Sequence, residues 1–131
     1  MGIVARVAEA LVGAPFELPP EIKARYPELA QARYRRGGLP VRIGGWALGM
    51  PTVDAITLRR TVFLSPAAPL TPSLLLHELR HVHQFLDERT FPVRYLWQSL
   101  RYGYTRNAYE VDARRYSALR VGTADKETRS G

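Results

Sequence analysis

Two histidines and a glutamate share one short stretch, His77-Glu78-Leu79-Arg80-His81, at a spacing that could hold a metal ion. In an α-helix four residues turn through about 400°, so His77 and His81 lie on one face, one turn apart. Two imidazoles at this separation can bind one Zn²⁺, with Glu78 beside them as a base. The alternative is a solvated helix with two surface histidines. The apolar residues on both sides of the stretch argue against that alternative.

A catalytic zinc ion usually has a third protein ligand, and here it must be a carboxylate. The chain has no cysteine and three histidines, and His83 is turned about 200° from His81, which favours a core or flank position. The best candidate is Glu110, because the small residues at 113 and 117 on its stripe would let its helix approach the first. The alternative for Glu110 is a capping box with Asn107.

Other polar residues near these positions have open roles. Gln84 shares a face with His77 and could contact substrate, orient a ligand or be solvated. Asp112 is either a surface carboxylate or a partner that orients a ligand histidine. A group that stabilises an oxyanion is also expected, and the choice stays open among residues near Glu110 in the chain: Tyr102, Tyr104, Arg106 and Tyr109.

The first half of the chain predicts helices followed by a small sheet. A core-facing helix over residues 2–13 ends at Gly13, and a second helix begins at Pro20, restarts at Pro27 and continues to Arg36. Alternating or β-branched residues then predict three strands, at residues 41–43, 55–58 and 61–64. The Arg59-Arg60 link suits a tight turn poorly, since neither residue favours positive φ, so a bulged or bent connection is the alternative.

The second half predicts three helices. Thr71-Pro72 resembles an N-cap followed by proline at the first helical position, which starts the histidine helix and carries it to about Glu88. A helix over residues 93–102 ends at Gly103, and a last helix runs from about Asn107 to Val121-Gly122. The expected organisation is one α+β domain over residues 1–122 with a flexible polar tail over residues 123–131.

Composition narrows the classes of function. The chain of 131 residues carries a net charge of +7, but its arginines are scattered, so a nucleic-acid partner is a minor hypothesis. The absence of cysteine excludes disulfides and thiolate metal sites. Abundant Arg and Pro with few labile residues suggest a thermophilic or GC-rich source. No signal peptide and no run of roughly 18 apolar residues is present, so we expect a cytoplasmic protein without a membrane partner.

The histidine stretch with residues 55–64 before it and Asn107-Ala108-Tyr109-Glu110-Val111-Asp112-Ala113 after it resembles the minigluzincins, which are very small zinc metallopeptidases. The resemblance covers roughly residues 53–120. It implies a minimal zincin-like fold, with a small sheet over an active-site helix and a ligand helix. It implies one Zn²⁺ held by His77, His81 and Glu110, with Glu78 as general base and a peptide or protein as substrate.

Two further features are expected of such a protein. The strand over residues 61–64 could be the sheet edge on which a peptide lies as an added strand. A protein this small could also be latent, with the N-terminal helix or the tail after Gly122 controlling access to the metal.

Two alternatives to a general peptidase remain. The first is a regulatory protease of the ImmA/IrrE type, whose pattern also places a glutamate, an alanine and an aromatic residue on a following helix, as Glu110, Ala113 and Tyr116 do. Such a protease would act on a repressor. The second is a zinc-stabilised binding protein without turnover. Substrate and oligomeric state are left open by the sequence.

Overall fold

Helices and a small mixed sheet make up the protein, whose computed structural model describes residues 2–41 and 53–130. The α-helices that lie wholly within the described residues are α1 (Ile3–Val12), α2 (Pro20–Arg25), α3 (Pro72–Asp87), α4 (Phe91–Tyr102) and α5 (Ala108–Ser130), with a 3-10 helix at Pro27–Gln31. Residues 39–41 are also helical. The strands are β1 (Ala14–Pro15), β2 (Arg33–Arg36), β3 (Ala55–Leu58) and β4 (Thr61–Leu64). The predicted α+β class is therefore confirmed.

The sheet has the order β1-β2-β4-β3 in the described part of the chain. β2 pairs with β4 in parallel, whereas β1 with β2 and β3 with β4 are antiparallel pairs. β3 is therefore an edge strand and β4 an interior one among the described strands. The prediction that residues 61–64 form the sheet edge is wrong, and residues 55–58 take that place.

The structure differs from the sequence predictions at residues 33–36 and at Val41. Residues 33–36 form a strand rather than the end of a helix, because they pair with β4 and bury Tyr34, whose hydroxyl donates to the carbonyl of Leu29 at 2.9 Å. The Arg-Tyr-Arg alternation at 33–35 is the local signal of that strand. Of the strand predicted at 41–43, Val41 is helical instead, and residues 42 and 43 lie outside the described residues.

The connection between β3 and β4 is a tight two-residue turn. Thr61 pairs with Leu58, so only Arg59 and Arg60 lie between the strands. Arg59 adopts a φ of 56°, which makes it the sole non-glycine residue with positive φ in the described ranges. The bulged alternative is therefore not adopted. Pairing along both strands holds Arg59 in a conformation that costs roughly 1–2 kcal/mol for an L-residue.

The histidine helix α3 begins and ends where the sequence indicates. Thr71 is the N-cap, its side chain accepts a hydrogen bond from the backbone N–H of Leu74, and Pro72 is the first helical residue. The apolar side of α3, formed by Leu75, Leu79 and Val82, is fully buried. It belongs to the core cluster that includes residues of β4 and the 3-10 helix, whereas the opposite, polar side faces α5.

Both ends of the chain differ from expectation. No residue of α1 is buried, so the prediction of a core-facing N-terminal helix is wrong. The last helix does not end near Val121-Gly122 but continues to Ser130. Arg25 on α2 donates to Asp125 and Thr128, and Ala124 is buried. The helical residues after 122 are therefore held against α2. The division into a domain over 1–122 and a flexible tail stays a prediction. No helix in the described ranges is long and apolar enough to cross a bilayer.

Candidate metal centre

α3 presents His77, Glu78 and His81 together. One nitrogen or oxygen atom from each lies within 4.8 Å of the others, a grouping that could hold a metal ion. The two imidazole rings are 5.0 Å apart between centroids and meet edge to face. This is the arrangement that the four-residue spacing predicts for one turn of helix. His81 and Glu78 are buried, and His77 is partly exposed.

α5 brings Glu110 to the same place. One of its carboxylate oxygens lies 3.0 Å from Nε2 of His77, and the other lies 2.6 Å from Nε2 of His81. Ala113 and Ser117, one and two turns further along α5, are buried, in agreement with their expected role in letting the helices approach. The Glu110 carboxylate is 2% exposed, so these imidazoles are its main polar partners.

The capping-box role of Glu110 is not adopted. Asn107 caps α5 by itself, because its Oδ1 accepts a hydrogen bond from the backbone N–H of Tyr109 at 2.9 Å. Its buried amide also donates to the carbonyl of Tyr95 and to the hydroxyl of Ser99. Asn107 thus fixes the start of α5 against α4, and Glu110 is free to face the histidines.

Glu78 has a different environment from Glu110. The hydroxyl of Thr57 on β3 lies 2.8 Å from Oε2 of Glu78 and 3.2 Å from the Glu78 carbonyl oxygen. A hydroxyl has one proton, and the shorter contact favours donation to the carboxylate. Oε2 therefore has a protein donor, whereas no hydrogen bond to Oε1 is made among the described residues.

A chain of hydrogen bonds behind His81 fixes its orientation. Nδ1 of His81 lies 2.7 Å from Oε1 of Gln84, whose amide nitrogen donates to the carbonyl of Tyr109 and to Asp112. Asp112 also accepts from Arg80 at 2.7 Å. Since the amide nitrogen of Gln84 is committed to acceptors, its oxygen must face His81, and Nδ1 must carry a proton. Nε2 of His81 is therefore the nitrogen that faces Glu110.

The charges of the site follow from these contacts. Burial disfavours a charged His81, but the hydrogen bond to Glu110 and the charges of Glu78 and Glu110 raise its pKa to about 9. Burial would also raise the pKa of Glu110, yet the bonds from His77 and His81 lower it far below its usual range. Glu110 is therefore ionised at neutral pH. Two buried carboxylates beside two imidazoles create a site that attracts positive charge.

Tyrosine hydroxyls complete the surroundings of Glu110. Tyr95 on α4 donates to Glu110 at 3.1 Å, and Tyr104 lies in the same cleft. Burial and the negative charge of Glu110 raise the pKa of both hydroxyls, so both stay protonated and act as donors. Tyr109 instead donates to Glu88, away from the histidines. Of the four residues considered as oxyanion stabilisers, only Tyr104 lines the cleft within the described ranges.

A cleft of about 800 Å³ opens beside the histidines. Its walls are the edge strand β3, the polar side of α3, and the start of α4 with Phe91, Pro92 and Tyr95. Arg114 on α5 also reaches the cleft. Among the described residues, neither α1 nor the segment after Gly122 lines it. No contact of those segments with the cleft therefore supports the idea that they control access to the metal.

The residues singled out from the sequence divide into two groups. His77, Glu78, His81 and Glu110 come together, whereas His83 lies apart, 3.0 Å from Gln31 and against the ring of Tyr116. Sequence reasoning left Gln84 and Asp112 open and missed Thr57, Tyr95 and Arg114. The spacing His81-x-x-Gln84, one helical turn, is a local signal for Gln84. No comparable local signal identifies Thr57 or Tyr95.

The donor set fits a divalent metal. Imidazole nitrogens and carboxylate oxygens in a buried, negatively charged position suit Zn²⁺ and other first-row divalent ions. The hydrogen-bonded Nδ1 of His81 is also the arrangement usual behind a ligand histidine. No protein-family model, curated protein or solved structure matches this chain.

Replacing Gln84 by leucine is expected to weaken zinc binding by about 10- to 100-fold, since His81 loses the acceptor that fixes its tautomer. The measurement is competitive titration of the metal-free protein with a zinc-chelating dye. His83→Ala removes another histidine of α3 that lies outside the cleft and serves as the matched control. Equal zinc affinities for wild type, Gln84→Leu and His83→Ala would show that the hydrogen bonds behind His81 do not contribute to zinc affinity.

Proposed function

We propose that this protein is a zinc-dependent metallopeptidase with a zincin-like core. The observation that carries this proposal is the ionised Glu110 carboxylate facing Nε2 of both His77 and His81 from a separate helix. Burial of a carboxylate costs free energy, which its contacts with the two imidazoles offset, and these contacts place three potential metal ligands together. Glu78 also supports the proposal, because it lines the cleft beside the two histidines and is a separate carboxylate from Glu110.

The residues divide into ligands and a base. His77, His81 and Glu110 would hold the zinc ion, which when bound lowers the pKa of a water to about 7 and polarises a carbonyl group. Glu78 is proposed as the base, and the hydroxyl of Thr57 supports this role because it orients the carboxylate through Oε2. Its free Oε1 accepts a proton from the attacking water and returns it to the leaving amine.

The substrate is proposed to be an extended peptide that adds a strand to β3. The backbone carbonyl of Asp54 accepts a hydrogen bond from the backbone N–H of Ser65. Because such pairs alternate along an antiparallel ladder, the backbone groups of Ile56 and Leu58 also point towards β4. The backbone groups of Ala55 and Thr57 then point to the open side, into the cleft. Tyr104 and Arg114 supply donors for the oxyanion or for a carboxylate of the substrate.

The experiment that tests this function is metal removal and return. Protein treated with a chelator should lose hydrolysis of a mixed peptide library, and one equivalent of Zn²⁺ should restore it, with new peptide ends identified by mass spectrometry. Mg²⁺ serves as the control, because it prefers oxygen ligands and octahedral geometry. Zinc binding at one equivalent without any cleavage would indicate a metal-stabilised binding protein instead. A chelator-resistant activity would reject the metal mechanism.

A further inference from the structure

The outer face of α4 is apolar and exposed. Val93, Leu96, Trp97 and Leu100 all lie on it, with Leu100 85% and Trp97 62% exposed. On a helical wheel that starts at Phe91, these residues fall between about 140° and 240°. The inward residues Phe91, Tyr95 and Ser99 fall between 0° and about 80° on that wheel. The apolar face is thus opposite the packed side, where a surface helix ordinarily carries polar residues.

Exposed arginines border this face. Arg94 and Arg101 fall at about 300° and 280° on the same wheel, and Arg89 precedes the helix. All three are exposed, and none forms an ion pair within the described ranges. The nearest acidic residues along the chain are Asp87 and Glu88, and Glu88 is bonded to Tyr109. The face is therefore a continuous apolar strip with a positively charged border.

We infer that the outer face of α4 docks on an anionic lipid bilayer. Apolar side chains including a tryptophan, beside exposed arginines, match the acyl boundary and the charged headgroups of such a surface. The overall charge of +7 adds a favourable long-range field. The lack of a run of apolar residues long enough to span a membrane predicts no membrane partner. A helix that lies in the interface needs no span.

The same features disfavour other occupants. In a two-fold dimer the same face of both copies meets, which would bring the arginine borders together without acidic partners. Nucleic acid would use the arginines, but it would leave the aliphatic side chains Val93, Leu96 and Leu100 without apolar contacts. An anionic bilayer uses both parts of the face.

Docking in this way would bring the cleft to the membrane surface. Phe91, Pro92, Tyr95 and Leu96 of α4 line the cleft, and Leu96 also belongs to the outer face. The mouth of the cleft therefore lies along the border of the docking face. This inference rests on α4 alone and is independent of the metal and of peptide cleavage.

The test is sedimentation with vesicles of phosphatidylcholine alone or mixed with phosphatidylglycerol. Wild-type protein should bind the mixed vesicles, lose binding as NaCl is raised, and shift its tryptophan emission to the blue. Val93→Ser with Leu100→Ser should weaken partitioning by about tenfold or more, because two exposed apolar side chains no longer enter the interface. Arg89→Glu with Arg101→Glu should weaken it by a similar factor. The chain has a second tryptophan, Trp46, so the blue shift should persist in a Trp46→Phe variant and disappear when Trp97 is also replaced by Phe.

Matched controls are Leu119→Ser and Arg115→Glu on α5, both at exposed positions away from this face. They should bind vesicles as wild type does, and far-ultraviolet circular dichroism should be the same for all variants. Three results would overturn the inference. These are no vesicle binding, equal losses in the controls, and self-association by light scattering that the Val93 and Leu100 substitutions abolish.

Discussion

Glu78→Gln is expected to lower kcat/KM for peptide hydrolysis by about 10²- to 10⁴-fold while the protein still binds one zinc ion. Glutamine has nearly the same shape, and its carbonyl oxygen can accept the hydroxyl of Thr57 as Oε2 of Glu78 does. It cannot accept a proton at the second position. The loss should therefore fall on kcat, with zinc content measured in the same samples by atomic absorption.

Asp87→Asn is the control for Glu78→Gln, because it removes a carboxylate from the end of the same helix at an exposed position. It should leave both kcat/KM and zinc content unchanged. Hydrolysis retained in Glu78→Gln would show that the base is elsewhere. Loss of zinc would mean that Glu78 is itself a ligand. Its carboxylate lies close enough to both histidines for that role.

Glu110→Ala is expected to weaken zinc binding by at least about 100-fold and to destabilise the metal-free protein by about 3–5 kcal/mol. The zinc loss follows from the removal of one of three ligands. The stability loss follows because the buried pair of Glu110 and His81 is broken and both imidazoles lose their carboxylate partner. Burial then lowers the pKa of His81, which Glu110 no longer raises, and the imidazole loses its charge. Urea unfolding with and without zinc, together with dye competition, measures both effects.

Glu88→Gln is the matched control for Glu110→Ala, since Glu88 also bonds a tyrosine hydroxyl but lies outside the cleft. Its effect on stability should be about 1 kcal/mol, the value of an ordinary hydrogen bond, with zinc affinity unchanged. If Glu110→Ala destabilised the protein but bound zinc as tightly as wild type, Glu110 would be a structural residue and the ligand set proposed above would be wrong.

Local patterns in the sequence predicted the elements that carry the site. The cap at Thr71-Pro72, the spacing of His77 and His81, and the cap at Asn107 each depend on residues within four positions of one another. Glu110 was found by elimination among possible ligands and by the small residues beyond it on α5. Its contact with both histidines depends on how α3 and α5 pack, and the small stripe is a signal of that packing.

Features that depend on distant pairing were missed. β2 is a strand because it lies beside β4, and helical spacing at residues 27–36 gave no indication of that neighbour. Gln84 orients His81 because Tyr109 and Asp112 of another helix occupy its amide nitrogen. Amphipathic spacing identified the apolar face of α1 but not whether that face is covered. Local propensity carries no information about the distant segment that pairs with or packs against each of these residues.

The contacts between α5 and the N-terminal half have a consequence for the order of folding. Arg120 bonds Glu28 at 2.5 Å, and Asp125 bonds Arg25, across 92 and 100 positions of sequence. α3, α4 and α5 are by contrast consecutive and joined by short loops. Contacts of low sequence separation form fastest, so the metal-binding helices should assemble first. The N-terminal segment through β2 should then dock last and detach first in partial unfolding.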